Sequence, residues 1–283
     1  MSPWRREPLA IGIGLDAVSV IDSGVGESPV SIAQARASAN PAQSLAMALR
    51  GLLEQRAGRA SSFRSARVVI AMGLSKYWMM RAPADIKSLA ELRRVAQARC
   101  AQLFGLKPAW EVAADWDANA PFLCTAVPDW IVAGVRAALQ REVRIDTVLP
   151  RVLATSLAPT MAESWACVTS ASAVAVIRLG QGRLQSVRCM PITVDATPQA
   201  RLQLAARELR RESLRAQVSI VKEVLLQQLE SISIGQDGKV VESEGVRFLP
   251  VTSLWPQSAT AEGPDVMDDA GSAALVARLI EGS

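Results

Sequence analysis

Histidine is absent from all 283 residues. That removes the side chain that most often serves as a general base near neutral pH, and with it the Ser-His and Cys-His nucleophile pairs and most zinc sites. Cysteine is scarce: Cys100, Cys124, Cys167 and Cys189 lie far apart inside apolar runs and form no CxxC pair. They read as reduced core residues rather than as metal ligands or disulfide partners. Long apolar runs are missing too. Nothing reaches the roughly 18 uninterrupted apolar residues that a spanning helix needs. The run after the short basic lead of "MSPWRREPLAIGIG" is broken by Asp16 and Asp22 and lacks a signal-peptide pattern. The expectation is a cytoplasmic chain that meets a membrane only through a partner. A compact basic block is also lacking. The net charge is +4, but the arginines are spread along helical patterns such as "ARELRRESLRAQ" without interleaved aromatics, so nucleic acid is not an expected partner.

What is present is apolar bulk, half of all residues, enough for one large domain or two intimately packed halves. "LAIGIGLDAVSVID", Leu9 to Asp22, alternates like a strand pair and carries Gly12, Gly14 and Asp16 in its middle. Read from the residues alone, Asp16 is a strand-end turn residue or a magnesium-positioning acid, and the two glycines permit either close strand packing or phosphate approach. An amphipathic helix follows over about Pro41 to Gln55, then a short strand, "ARVVIAMG". Ser88 with Glu91 three residues on has the spacing of a capping box, and Gly105 is a natural stop for that second helix. "AWEVAADWDANAPFLCTAVP" reads as a hairpin, with Glu111, Asp115 and Asp117 on its solvated face, and Asp129 opens a helix that leads into the strand "VRIDTVLP". "RVLATSLAP" is expected to be helical. From Trp165 the pattern restarts as a three-strand meander through Gly180-Gln181-Gly182. A long helix with a possible break over Pro198 to Leu229, short strands in "ISIGQDGKVVESEGVRFLPV", and a closing helix capped by Asp268-Asp269 complete the chain.

This order resembles the actin-like fold of the assembly-platform proteins of type IV pili and type II secretion, the PilM and GspL cytoplasmic-domain family. Four places carry the likeness: "IGIGLDAVSVID", "SLAELRRVAQARCAQLFG" with the hairpin after it, "AVPDWIVAGVRAALQREVRIDTVLP", and "DDAGSAALVARL". The resemblance implies an α/β, ribonuclease H-like, two-lobed fold with mixed sheets flanked by helices. The first lobe would span 1–160, with a small subdomain inserted at about 66–128, and the second 161–283.

In nucleotide-binding members the first hairpin reads Gly-Leu-Asp-Ile-Gly-Ser-Ser. Here Gly14-Leu15-Asp16 lies on that start, but Ala17-Val18 stand where the glycine and serines belong. The second hairpin offers Thr169, Ser170 and Ser172 as hydrogen-bond donors but no carboxylate, and "FLPVTSLWPQ" replaces a Gly-Gly adenosine loop. If ATP and magnesium bind, these residues are the cofactor site. With all three motifs degraded, the expectation is no cofactor, no metal and no catalytic residue, hence a scaffold. The alternative is an ATP-dependent ATPase or small-molecule kinase using Asp16.

Such proteins hold the N-terminal cytoplasmic peptide of a bitopic, PilN-like inner-membrane partner between the inserted subdomain and the first core, and GspL-like ones also contact the assembly ATPase. The seven tryptophans against one tyrosine mark candidate interfaces, although Trp130 and Trp165 read as core. Tyr77, Trp78, Met79, Met80 and Arg81, in "LSKYWMMRAPADI", are the candidate partner-binding residues, together with the helix from Ser88.

Overall fold

The computed structural model describes residues 9–15, 18–21, 39–55, 65–114, 116–117, 119–139, 143–150, 163–170, 172–180, 183–193, 196–218, 223–228 and 241–250. The expected helices in "RVLATSLAP" and "DDAGSAALVARLIEG", and all but the beginning of "FLPVTSLWPQ", lie outside them.

The opening alternation becomes a hairpin. β1 (Leu9–Ile13) pairs antiparallel with β2 (Val18–Ile21), Ile13 opposite Val18, and parallel with β3 (Ser65–Ile70), Ile13 opposite Ile70. β7 (Arg144–Pro150) adds parallel to β3, giving the order β2-β1-β3-β7. Because β1 is central, all five of its residues are buried, Gly12 included. One face is covered by α1 (Pro41–Gln55) and α3 (Asp129–Leu139), which bring Leu45, Leu49, Leu52, Ile131, Val135 and Leu139 against Ile11, Ile13, Val20 and Val68. The two helices touch backbone to backbone at Gly134. A Cβ there would lie 2.9 Å from the Ala42 carbonyl oxygen and 2.9 Å from Leu45 Cδ2.

Between β3 and α3 lies a second body of structure. β4 (Lys76–Met80), β6 (Phe122–Pro128) and β5 (Trp110–Ala114) form an antiparallel sheet in the order β4-β6-β5, backed by α2 (Leu89–Phe104). Helix α2 starts as its sequence dictates: Ser88 Oγ accepts from the Glu91 N–H at 3.2 Å, and the Glu91 carboxylate accepts from the Lys87 N–H at 2.9 Å. Gly105 ends it at φ +87°, a conformation that favours glycine. Since β3 belongs to the first sheet, the inserted unit begins at Lys76, not near residue 66. The parallel pairing with β1 sets that boundary, and a lone short strand does not announce it.

The meander is present as expected: β8 (Glu163–Thr169), β9 (Ala173–Gly180) and β10 (Arg183–Pro191) pair antiparallel in succession. The long helix is shorter than its sequence suggests. α4 runs Pro198–Arg215, opened by Thr197, whose hydroxyl accepts from the Ala200 N–H at 3.2 Å. Glu223–Gln228 is instead a strand, β11, parallel to both β8 and the final strand β13 (Val246–Pro250), with the short β12 (Val241–Ser243) closing the order β10-β9-β8-β11-β13-β12. α4 packs Leu202, Ala205, Ala206 and Leu209 on this sheet, over Val174, Val176, Val224 and Phe248. Trp130 and Trp165 are each half-buried against the cores of their own sheets.

All four cysteines are free thiols; three are buried and Cys189 is half-buried. Burial pushes the Cys167 thiol up to about 12 and that of Cys100 up to about 11, from 9.0. A raised folded pKa means that stability held below pH 9 is lost as pH climbs toward 11 to 12. At pH 10 the unfolded thiols are mostly ionised while the folded ones are not, so each thiol withdraws stability on the order of 1 kcal/mol. Urea midpoints at pH 8 and pH 10 should therefore differ more for the wild type than for Cys100→Ala/Cys167→Ala; an equal drop in both would refute the assignment. Among the described residues no helix is long and apolar enough to cross a membrane, and no cluster of three or more ligating side chains is found.

Candidate functional site

The first and second hairpins converge on one short segment. After β3, the Ala71 N–H donates to the Ile13 carbonyl at 2.8 Å, extending the pairing by one step. The chain then coils into a 3-10 turn, Met72–Leu74, closed by the Leu74 N–H on the Ala71 carbonyl at 3.1 Å and the Ser75 N–H on the Met72 carbonyl at 3.2 Å. Its two large side chains part company. Leu74 joins the core of the first sheet with Ile13 and Ile70, whereas Met72 joins Val168, Ala173, Ala175, Ile177 and Val187 from the six-stranded sheet. Both hairpins pack on Gly73. A Cβ on it would lie 2.9 Å from Ser172 Oγ and 3.2 Å from Leu15 Cδ1, so only a residue without one fits unmoved. The Cys189 thiol donates to the Met72 carbonyl at 3.7 Å, tying β10 to the same turn.

The turn between β8 and β9 is equally closed. Ser170 Oγ accepts from the Ala173 N–H at 3.1 Å and from the Ser172 N–H at 3.4 Å, and donates to the Ala173 carbonyl at 3.2 Å. Its own carbonyl accepts from Arg201 Nη1 at 3.0 Å, and Arg201 Nε donates to the Ala196 carbonyl at 3.1 Å. Arg201 thus anchors the start of α4 to the second hairpin from a buried position.

Of the residues expected to hold a nucleotide, Thr169, Ser170 and Ser172 are all buried, with Ser170 and Ser172 in one hydrogen-bonded turn and Thr169 paired opposite Val174 at the end of β8. Gly14 is buried, next in the chain to Leu15, whose side chain packs on Gly73. Asp16 lies outside the described residues. The hairpins are therefore brought together, with Leu15 and Ser172 both packed on Gly73 of the Met72–Leu74 turn. The sequence reading missed Met72, Gly73, Cys189 and Arg201. The one available signal was Gly73 directly after a β-rich run, which serves as a strand end in any fold.

The expected partner surface at Tyr77 to Arg81 requires a correction. β4 is covered on both faces. Tyr77 points with Met72 and Leu123 toward β8, β9 and β10, while Trp78 and Met80 pack against Leu92, Ala96 and Cys100 of α2 and Phe122 and Cys124 of β6. Trp78 lies 5.8 Å from the Phe104 ring, which in turn lies 6.4 Å from Trp110. Tyr77, Trp78 and Met80 are core, Met79 is half-buried, and only Arg81 is exposed. A strand with a covered face on either side carries large apolar residues at successive positions, and this is what made the stretch resemble a sticky surface. The hairpin's solvated face holds in part: Glu111 is exposed and lies 3.8 Å from Arg136 of α3, Asp117 is half-buried, and Asp115 is outside the described residues.

The whole architecture is shared with one solved assembly. Over 99 % of its length the chain matches 99 % of a chain in the PilM–PilN type IV pilus biogenesis complex, with a TM-score of 0.62 at 18 % identity. The chain thus has the fold of that chain, the actin-like fold expected from the sequence. Weaker likenesses are found to a Bacteroides thetaiotaomicron protein with actin-like ATPase fold (TM-score 0.49, 11 % identity, 81 % and 84 % of the two chains). The cytoplasmic domain of EpsL, an inner membrane component of the type II secretion system of Vibrio cholerae, gives 0.48 at 12 % identity over 87 % and 90 %. No family model and no curated protein sequence matches the chain. β1–β2 and β8–β9 are hairpins of two different sheets, and the three-stranded sheet with α2 lies in the chain between β3 and α3.

Proposed function

We propose that this chain is a non-catalytic, actin-like adaptor on the cytoplasmic side of the inner membrane. It docks on the N-terminal cytoplasmic peptide of a bitopic, PilN-like protein in the platform of a type IV pilus or type II secretion machine, where the assembly ATPase is a further candidate partner. The observation that carries this reading over an enzymatic one is the tight packing of Leu15 and Ser172 on Gly73, where a Cβ would lie within 3.2 Å of both side chains. A phosphate chain held by two hairpins needs free backbone N–H groups, open space and a carboxylate-held metal between them. Here Leu15 and Ser172 close on Gly73 of the 3-10 turn, and the Ser170 hydroxyl is occupied by its own turn. The full-length likeness to the pilus complex supports the partner class. The seam between insertion and first sheet, spanned by Glu111 and Arg136, gives a peptide the outer edge of β5 to pair with and a charged rim to set its register.

Two measurements test the reading together. Co-expressed with a PilN-like protein, the chain should fractionate with membranes, and deletion of that protein's cytoplasmic peptide should return it to the supernatant. Millimolar Mg-ATP should leave its melting temperature unchanged, whereas a nucleotide at a hundredfold excess over its dissociation constant would add about 2.7 kcal/mol of stability. ATP turnover that disappears in Asp16→Ala would replace the adaptor by an enzyme.

A further inference from the structure

The arginines that look scattered in "ARELRRESLRAQ" converge on one side of α4. Arg207, Arg210, Arg211, Leu214 and Arg215 follow the spacing i, i+3, i+4, i+7, i+8 and share the outer face, while Leu202, Ala205, Ala206 and Leu209 hold the inner one. Arg188 of β10 joins them through Glu212, at 2.9 Å.

The carboxylates that answer these arginines lie beneath them. Glu208 and Glu212 are 11 % and 6 % exposed and Glu244 is 27 %, against 49–68 % for the guanidiniums of Arg188, Arg207, Arg210, Arg211 and Arg215. Arg211 reaches Glu208 at 3.3 Å, Arg215 binds both Glu208 and Glu212, and Arg207 and Arg210 reach Glu244 at 3.1 and 3.3 Å. Five guanidiniums thus share three submerged acids. The ion pairs fix the arginines in place, and the surplus of two positive charges faces outward with unused N–H donors suited to phosphate oxygens. Leu214, 75 % exposed, projects from the middle of this array.

We propose that this face of α4 lies on an anionic membrane surface, its arginines on lipid phosphates and Leu214 at the headgroup boundary. Two features favour lipid over an acidic peptide. The surface is the convex side of a helix, with no groove to hold an extended chain. An apolar side chain ringed by arginines gains nothing from a soluble acidic partner but is buried by an acyl boundary, as in helices that lie in the membrane interface. This surface belongs to the six-stranded sheet and includes nothing of the seam assigned to the peptide, so it stands or falls independently of the adaptor reading.

The test uses the full chain and protein-free vesicles. It should co-sediment with phosphatidylcholine vesicles containing about a third phosphatidylglycerol, should ignore pure phosphatidylcholine, and should be released as salt rises toward about 0.5 M. In Arg207→Gln/Arg211→Gln every buried acid keeps a partner, Arg210 for Glu244 and Arg215 for Glu208, so the melting temperature should hold. Affinity for anionic vesicles should fall about 25-fold, since each arginine near such a surface contributes about a fivefold factor. Adding Leu214→Ser should weaken it further. No binding to anionic vesicles at low salt, equal binding by the triple variant, or capture of polyglutamate in place of vesicles would each overturn the proposal.

Discussion

Replacing Met72 by alanine is expected to lower the stability of the chain by about 2–4 kcal/mol, the range for truncating a fully buried methionine whose surroundings collapse only in part. Met72 is 0 % exposed and seated among Val168, Ala175, Ile177 and Val187, yet its backbone belongs to the segment that leaves β3. This core joins the six-stranded sheet to the turn after β3 and, through Tyr77 and Leu123, to the three-stranded sheet. The substitution should therefore do more than shift a midpoint. Calorimetry of the variant should resolve two transitions where the wild type gives one, because each sheet retains its own core when the shared one is thinned. A loss below 1 kcal/mol with a single transition would mean that the turn is not what couples the six-stranded sheet to the rest.

Gly134→Val is expected to cost as much or more, for the opposite reason. The substitution gains helix propensity relative to glycine, worth less than 1 kcal/mol at an exposed site. Against this, the first added carbon would stand 2.9 Å from the backbone oxygen of Ala42, which no side-chain rotation relieves, and 2.9 Å from Leu45 Cδ2. Two further methyl groups force α1 and α3 apart over Leu45, Leu49, Ile131 and Val135, and overpacking of this kind costs about 1–3 kcal/mol or more. Gly134→Ala should show the smaller part of the same effect. Urea unfolding followed by tryptophan fluorescence would settle the order, and a Gly134→Ala variant more stable than wild type would show that the helices yield freely.

The local architecture was legible because it is written locally. Alternation gave the β1–β2 and β5–β6 hairpins and the meander, and Ser88, Glu91 and Gly105 marked both ends of α2. Non-local pairing was not legible. β3 lies parallel between β1 and β7, and β11 between β8 and β13, with partners dozens of residues away. The apolar spacing of "VSIVKEVLLQQLE" suits a helix as well as a buried strand, so tertiary context decides its state. The site failed for a related reason. Degraded phosphate motifs were visible residue by residue, but the turn on which both hairpins pack carries no motif of its own. Likewise Tyr77 to Met80 looked exposed only because nothing in the sequence says that β4 is covered twice.

The rim of the six-stranded sheet bears on how the chain behaves when crowded. One margin, β10, runs alongside β4, and the other, β12, is three residues long and ends at a tight turn of Glu244 (φ +50°) and Gly245 (φ +73°), where Arg207 and Arg210 hold Glu244. A sheet whose margins are shielded or cut short offers neighbouring copies little backbone to zip onto. Many molecules can then gather at one spot without knitting into fibres.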